Sequence, residues 1–211
     1  MPKITPKDLV ERGYDKKAEE YLRKYRSSSD ADKNTKKYLK KLVGLLARGS
    51  KILDLGCGAG IPVAKFLSQF YKVVGVDIST RQIELAKKNV PKAVFIRKDI
   101  TKVSFPPGSF DAVVSFYTII HIPREQHKEI LKKIYKMLKP GGYFLGTMGV
   151  EELREIIEED WLGEPMYWSH FGKEENIKMF KKVGFDILIA KVEKEKENNE
   201  IIKHLYVLAQ K

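Results

Sequence analysis

The chain of 211 residues has a single cysteine, Cys57, so no internal disulfide is possible and a reducing compartment is expected. It contains no run of about 18 apolar residues, which excludes a membrane-spanning helix. Residues 1–10 lack the apolar stretch of a secretory leader. These absences together point to a soluble, cytoplasmic protein with no membrane partner. Histidine is scarce too, with four in all, and the spacing from His121 to His127 is not that of a metal site, so no metal is expected. No internal repeat or low-complexity tract is present. Acids are outnumbered, 28 against 40 basic residues of which 32 are lysine, giving a formal charge of +12. Residues 1–48 hold 14 basic and 7 acidic side chains, so +7 of the excess lies in under a quarter of the chain. Such an excess marks either an anionic partner such as nucleic acid or a lysine-rich, thermophile-like surface.

What is present suits one globular unit. Two helical patterns open the chain. Over residues 6–25, Leu9, Val10, Tyr14, Ala18, Tyr21, Leu22 and Tyr25 recur at three- and four-residue spacings. Residues 27–30 read as a loop and helix cap before a second helix that runs to about residue 47. From residue 51 the period changes. Strands at 51–55, 72–76, 93–96, 110–116 and 142–148 alternate with helices at 61–70, 80–89 and 124–138, the pattern of βαβ units and a doubly covered parallel sheet. A helix at 173–183 ends on Gly184, and strands follow at 186–192 and 201–209. The charged connector between them, 193–200, is too short for a helical crossover, so this last pair is expected to be antiparallel.

The first strand runs into Asp54-Leu55-Gly56-Cys57-Gly58-Ala59-Gly60 and then a helix. Glycines there let backbone approach a ligand closely, and the helix start offers free N–H groups. The second strand ends on Asp77, placed to accept from both hydroxyls of a ribose. Loop and acid together indicate a nucleoside cofactor. The dinucleotide spacing G-x-G-x-x-G fails, since it needs glycine at Ile61 or Val63, and no Walker sequence follows. An acid two residues before the first glycine would repel a pyrophosphate and suits a ligand with an ammonium group.

Ile52-Leu53-Asp54-Leu55-Gly56-Cys57-Gly58-Ala59-Gly60 resembles motif I of class I S-adenosylmethionine-dependent methyltransferases. Val73-Val74-Gly75-Val76-Asp77-Ile78-Ser79, Asp99-Ile100, Phe110-Asp111-Ala112-Val113-Val114-Ser115 and Leu138-Lys139-Pro140-Gly141-Gly142 are similar to that family's later motifs, in order, over residues 50–148. The resemblance implies an α/β fold with a doubly wound, seven-stranded, mostly parallel sheet of order 3-2-1-4-5-7-6, strand seven antiparallel. It implies that residues 1–48 form a helical lid over a methyltransferase domain at 49–211. It further implies S-adenosyl-L-methionine as cofactor, with S-adenosyl-L-homocysteine as product. By the same resemblance Asp54, Gly56, Gly58 and Gly60 hold the methionine end, Asp77 the ribose, and Ile78 and Asp99 the adenine. Cys57, Ile100, Ser115 and the lid's Tyr25 join them as cofactor neighbours. Some of these residues also have plainer readings: Asp54 as a structural acid capping the loop, Asp77 as a helix cap, Cys57 as a small filler of the turn.

The chemistry implied is displacement at the sulfonium methyl, with the protein aligning the reactants and removing a proton. The loop after the fourth strand, Ser115-Phe116-Tyr117-Thr118-Ile119-Ile120-His121, lacks the Asn/Asp-Pro-Pro-Tyr/Phe tetrapeptide of enzymes that methylate base or glutamine amines. His121 is a candidate general base, or a histidine that only pins the loop. Tyr117 is a candidate pocket residue. Aromatic residues at 160–171 supply Tyr167 and Trp168 as an acceptor cover, or as ordinary core, and His170 as a second candidate base. Tyr14, Tyr21 and Tyr25 share one helix face, which closes on the cofactor or acceptor. The leading expectation is a methyltransferase acting on a small molecule. The alternatives are an RNA or protein methyltransferase using the basic helices, and a non-catalytic partner subunit. The acceptor atom and the oligomeric state stay open.

Overall fold

The computed structural model describes residues 4–26, 30–197 and 200–211. The expected loop and cap at 27–29 lie outside them. In chain order the elements are α1 (Pro6–Tyr25), α2 (Asp30–Val43), β1 (Lys51–Leu55), α3 (Val63–Leu67), β2 (Lys72–Asp77), α4 (Thr80–Asn89), β3 (Val94–Arg97) and β4 (Phe110–Ser115). There follow α5 (His127–Met137), β5 (Leu138–Met148), β6 (Leu153–Trp161), β7 (Glu164–His170), α6 (Lys173–Val183), β8 (Asp186–Glu197) and β9 (Glu200–Gln210).

Local chemistry explains the main boundaries. Thr5 and Asp8 form a reciprocal capping box that starts α1, with Pro6 at the first helical position, where no donor is lost. Ser79 caps α4, accepting from Gln82 N at 3.0 Å. Gly184 ends α6 at φ 112°, a conformation that favours glycine.

Seven strands form one sheet in the order β3-β2-β1-β4-β5-β9-β8. Those from β3 to β5 pair in parallel, and β9 runs antiparallel to both neighbours. With β8 and β9 as sixth and seventh, this is the expected order. Ile52 and Leu53 on β1, both fully buried, enter opposite layers. One layer holds Leu39, Leu42 and Leu67 under α2 and α3, and the other holds Leu131, Ile134 and Phe180 under α5 and α6. Each such side chain contributes about 1.5–3 kcal/mol through burial. The carboxyl ends of the parallel strands are thereby fixed as a rigid rim.

Four regions depart from the sequence reading. The helix expected over 61–70 is confined to Val63–Leu67, with Pro62 at its N-cap. The helix expected from 124 starts as a 3-10 turn over Arg124–Gln126, and Leu138, expected to end it, instead opens β5. The segment 151–172, read only as an aromatic cover, contains the two-stranded hairpin β6–β7, separate from the main sheet. Its turn puts Leu162 and Gly163 at φ 54° and 84°, matching the twist of a hairpin. The charged connector at 193–200 is mostly strand: Glu193 faces Lys37 and Tyr38 of α2, Glu195 is wholly buried, and Lys194 and Lys196 alternate with them.

The two N-terminal helices separate. Only α1 crosses the rim, packing against β7 and α4, whereas α2 lies on the sheet beside β5, β8 and α3. The shared lid expected of both helices is thus divided, because Tyr38, Leu39 and Leu42 of α2 are drawn into the core layer, Tyr38 stacking on Tyr206 at 4.5 Å. Among the described residues, no helix is long and apolar enough to cross a membrane.

Candidate active site

A cavity of about 390 Å³ opens at the carboxyl ends of β1, β2 and β4 beneath α1. The glycine loop forms one wall. Gly56 and Gly58 adopt φ 74° and 51°, and a Cβ on Gly56 would overlap the side chain of Thr118. Gly56 N and Cys57 N both donate to Val76 O, at 2.7 and 3.0 Å, which binds the loop to the end of β2.

Two carboxylates line the cavity beside the loop. Asp54 is 1% exposed and its Oδ2 has no hydrogen-bond partner. Burial, reinforced by the charge of Asp77 and opposed by Arg26, pushes its carboxyl up to about 8. Asp77 accepts from Gly58 N at 2.8 Å and Ser79 N at 2.9 Å. Burial raises it to about 6, held down by backbone N–H groups and raised slightly by Asp15. Ile78, Asp99 and Ile100 continue this wall, and Asp99 accepts from Thr101 N at 2.9 Å.

The opposite wall comes from α1 and the loop after β4. Tyr14, Tyr21 and Arg26 face the cavity, as do Tyr117, Thr118 and His121. His121 Nδ1 lies 2.9 Å from the carbonyl of Tyr167. A carbonyl only accepts, so Nδ1 carries the proton, and Nε2 accepts from the Tyr14 hydroxyl at 2.9 Å. Burial lowers the His121 imidazole to about 4, leaving it neutral near pH 7. Tyr117 sits at φ 55°, its amide bonded to Thr147 Oγ1 at 2.6 Å. Its hydroxyl donates to buried Glu195 at 2.9 Å, and Arg26 lies over its ring at 4.2 Å.

Of the residues singled out in the sequence, twelve line the cavity: Asp54, Gly56, Cys57, Gly58, Asp77, Ile78, Asp99, Ile100, Tyr14, Tyr21, Tyr117 and His121. Six do not. Gly60 packs towards Val90 and Phe95, and Ser115 is bound to Leu55 O at 3.0 Å between strands. Tyr25 lies against Tyr21, on the part of α1 turned away from the cavity. Tyr167 offers its carbonyl to His121 while its ring joins Val10, Trp161 and Met166. Trp168 stands 4.3 Å behind the His121 ring and donates to Glu158. His170 is bound to Glu151 O at 2.8 Å and presses on Gly149, away from the cavity, because the β6–β7 hairpin turns it towards the loop after β5.

Sequence reasoning missed Arg26, Gln82, Thr118 and Glu195. Arg26 follows the last residue of α1 and turns back onto the Tyr21 hydroxyl, 3.0 Å from its Nε, a placement that helical periodicity does not signal among the surrounding basic residues. Glu195 carried none, lying in a Glu/Lys alternation that reads as surface.

The groups available fit S-adenosylmethionine: an unpartnered buried carboxylate that could accept from the ammonium, close backbone approach at Gly56 and Gly58, and an acid at the end of β2 that could accept from the ribose. Comparisons with known proteins agree. Residues 52–142 match the family model described as a methyltransferase domain. The chain is 35% identical over 116 residues to a sterol 24-C-methyltransferase of Aspergillus fumigatus, covering 51% of this chain and 29% of that protein. The chain thus spans under a third of that relative's length. Among solved structures it is similar to a SAM-dependent methyltransferase from Methanosarcina mazei, with TM-score 0.72, 23% identity, and 81% and 96% of the two chains covered. It is also similar to the Burkholderia thailandensis 1,6-didemethyltoxoflavin-N1-methyltransferase, solved with 1,6-didemethyltoxoflavin and S-adenosylhomocysteine bound, with TM-score 0.74, 17% identity, and 100% and 92% covered. Motifs, sheet order and cavity chemistry converge with these likenesses: residues 52–142 carry a methyltransferase domain, in a chain with the fold of known S-adenosylmethionine-dependent methyltransferases.

Proposed function

We propose that this chain methylates a small, protic acceptor held beneath α1, which acts as the lid of the site. The observation that carries this reading is the Tyr14–His121 contact, which joins the covering helix to the loop after β4 across the cavity. S-adenosylmethionine, when bound, supplies an electrophilic methyl on a sulfonium. Asp54 takes the ammonium of its methionine end, and Arg26, close enough to oppose the rise in the Asp54 pKa, presents the complementary cation to the carboxylate. Asp77 takes the ribose, and Ile78, Asp99 and Ile100 border the adenine.

A proton lost by the acceptor passes to Tyr14 Oη as the Tyr14 proton passes to His121 Nε2. His121 is held in the right tautomer by the Tyr167 carbonyl. A buried imidazole of low basicity does not keep that proton, and releases it as the site reopens. α1, Trp161 and Met166 exclude water meanwhile. The aromatic walls and limited volume favour a small molecule over a polymer.

The test is incubation with labelled S-adenosylmethionine and a cell extract separated into small-molecule, RNA and protein pools. Label is expected in the small-molecule pool, and label only in RNA or protein would overturn the reading. On the acceptor so found, Tyr14→Phe and His121→Asn should each lower kcat by about 10²-fold or more, with S-adenosylhomocysteine affinity within about threefold of the parent. Turnover at the parent's rate in either variant would remove the proton relay.

A further inference from the structure

We propose that Gln82 is a cofactor-binding residue whose carboxamide completes, with Asp77, the recognition of the ribose diol. The inference rests on the reading of the cavity as a nucleoside-cofactor site. Gln82 is 0% exposed and lines the cavity. Neither its Oε1 nor its Nε2 has a hydrogen-bond partner. Leaving both ends of a buried carboxamide unsatisfied is costly, and groups of this kind in native proteins almost always have a partner. Here the partner is a ligand that enters the cavity.

The position of the carboxamide says which part of the ligand. Gln82 lies in the first turn of α4, its backbone N–H fixed on the Ser79 hydroxyl. A Cβ built on Gly58 would stand 3.6 Å from Gln82 Oε1, and the N–H of the same glycine donates to Asp77 Oδ2 at 2.8 Å. Carboxylate and carboxamide therefore flank one glycine. The ionised carboxylate of Asp77 offers acceptors only, and each of its oxygens already takes a backbone N–H. A hydroxyl that donates to Asp77 still presents lone pairs, which Gln82 Nε2 can satisfy. The neighbouring hydroxyl can in turn donate to Gln82 Oε1. A vicinal diol needs just this mixture of donor and acceptors. An ammonium would need acceptors alone, and Asp54 supplies those.

The test is Gln82→Met, which keeps the length and flexibility of the side chain and removes its polar atoms. Without ligand, its melting temperature is expected to rise by about 2–6 °C, because no carboxamide is left unsatisfied. In calorimetric titrations, S-adenosylhomocysteine and 5′-methylthioadenosine are expected to weaken alike, each about tenfold, since both carry the ribose and only the first carries the amino-acid chain. A melting temperature at or below the parent's would mean that the carboxamide is satisfied within the protein, overturning the proposal. Unchanged affinities would overturn it as well. A loss confined to S-adenosylhomocysteine would put Gln82 at the amino-acid end and overturn the ribose assignment. If the Met variant does not fold, Gln82→Leu is read by the same three measurements. A parent protein that binds neither nucleoside would sink the cofactor reading itself, a failure distinct from an effect of the substitution.

Discussion

Replacing Asp54 by asparagine should remove a pH dependence from both stability and cofactor binding. The carboxyl is buried, lacks a partner on Oδ2 and is raised from an ordinary value of 3.8 to about 8. A group whose folded-state pKa lies above its unfolded value binds more protons when folded. Its contribution is therefore complete below about pH 4 and is lost as pH rises through about 8. A shift of this size corresponds to about 6 kcal/mol of pH-dependent stability, an upper bound because Asp77 titrates against it. The ligand-free protein should melt at progressively lower temperature from pH 5 to pH 9, and Asp54→Asn should flatten most of that slope. Binding runs the other way. The ammonium of S-adenosylhomocysteine needs the ionised carboxylate, whose population rises roughly fifteen-fold between pH 6.5 and 8 for a pKa near 8. Affinity for S-adenosylhomocysteine should rise by a comparable factor across that interval. For 5′-methylthioadenosine, which has no ammonium, the rise should be much smaller. Calorimetry at fixed ionic strength measures both. An Asp54→Asn variant with the parent's slope would refute the reasoning, as would equal slopes for the two ligands.

Glu195→Ala should destabilise the fold by about 3–5 kcal/mol, seen as a lower urea midpoint, because it strips a buried carboxylate from Tyr117, Tyr206, Asn34 and His204 at once. Gly56→Ala should cost about 3 kcal/mol or more and abolish S-adenosylhomocysteine binding. The backbone there is at φ 74° and the new methyl would overlap Thr118. Calorimetry and the same urea titration check both effects, and a Gly56→Ala protein that still binds the ligand would show that the loop tolerates a Cβ.

The parallel half of the fold was legible because each strand is a short apolar run next to a glycine or an acid with a defined job. Ile52 to Leu55 is buried on both faces, and the chain then turns where only glycine is comfortable, at Gly56 and Gly58. The wall with the two carboxylates was legible for the same reason, since Asp54 near the end of β1 and Asp77 at the end of β2 belong to neighbouring parallel strands, two register positions apart. The β6–β7 hairpin was not. β6 is exposed at all but its first and last residues, and its partner β7 buries Met166, Tyr167 and Ser169 against α1 and the loop around His121. Hydrophobic periodicity describes burial against a sheet, so a strand that lies against a covering helix leaves a different trace. β8 shows the same limit in charge. Glu193 and Glu195 face inward because Tyr38, Lys37, Tyr117 and His204 reach them from distant parts of the chain, and alternation of glutamate with lysine reads equally well as surface.

The basic excess of the first 48 residues bears on the site in an unexpected way. α1 crosses the cavity with tyrosines inward and charges outward, and those charges meet partners on elements that form the rim. Arg12 and Lys16 pair with Glu164, Glu11 with Arg97, and Glu19 with Arg81, while Asp15 accepts from the Ser79 hydroxyl at 2.6 Å. Exposed pairs of this kind contribute roughly 0–1 kcal/mol each and weaken as salt rises. The apolar contact beneath them is a small satellite cluster around Val10, Trp161, Met166 and Tyr167, apart from both main layers. The helix that carries Tyr14 and Tyr21 into the cavity is therefore held by surface ion pairs and a small aromatic cluster, outside both main core layers. A cofactor enclosed under it needs that helix to release, and polar ties around a small aromatic seal permit release without disturbing the sheet. His121 is anchored on the Tyr167 carbonyl and meets α1 only through the Tyr14 hydroxyl, so release of α1 would break that contact. If the relay proposed above operates, closure of α1 and assembly of its Tyr14–His121 link would be one event.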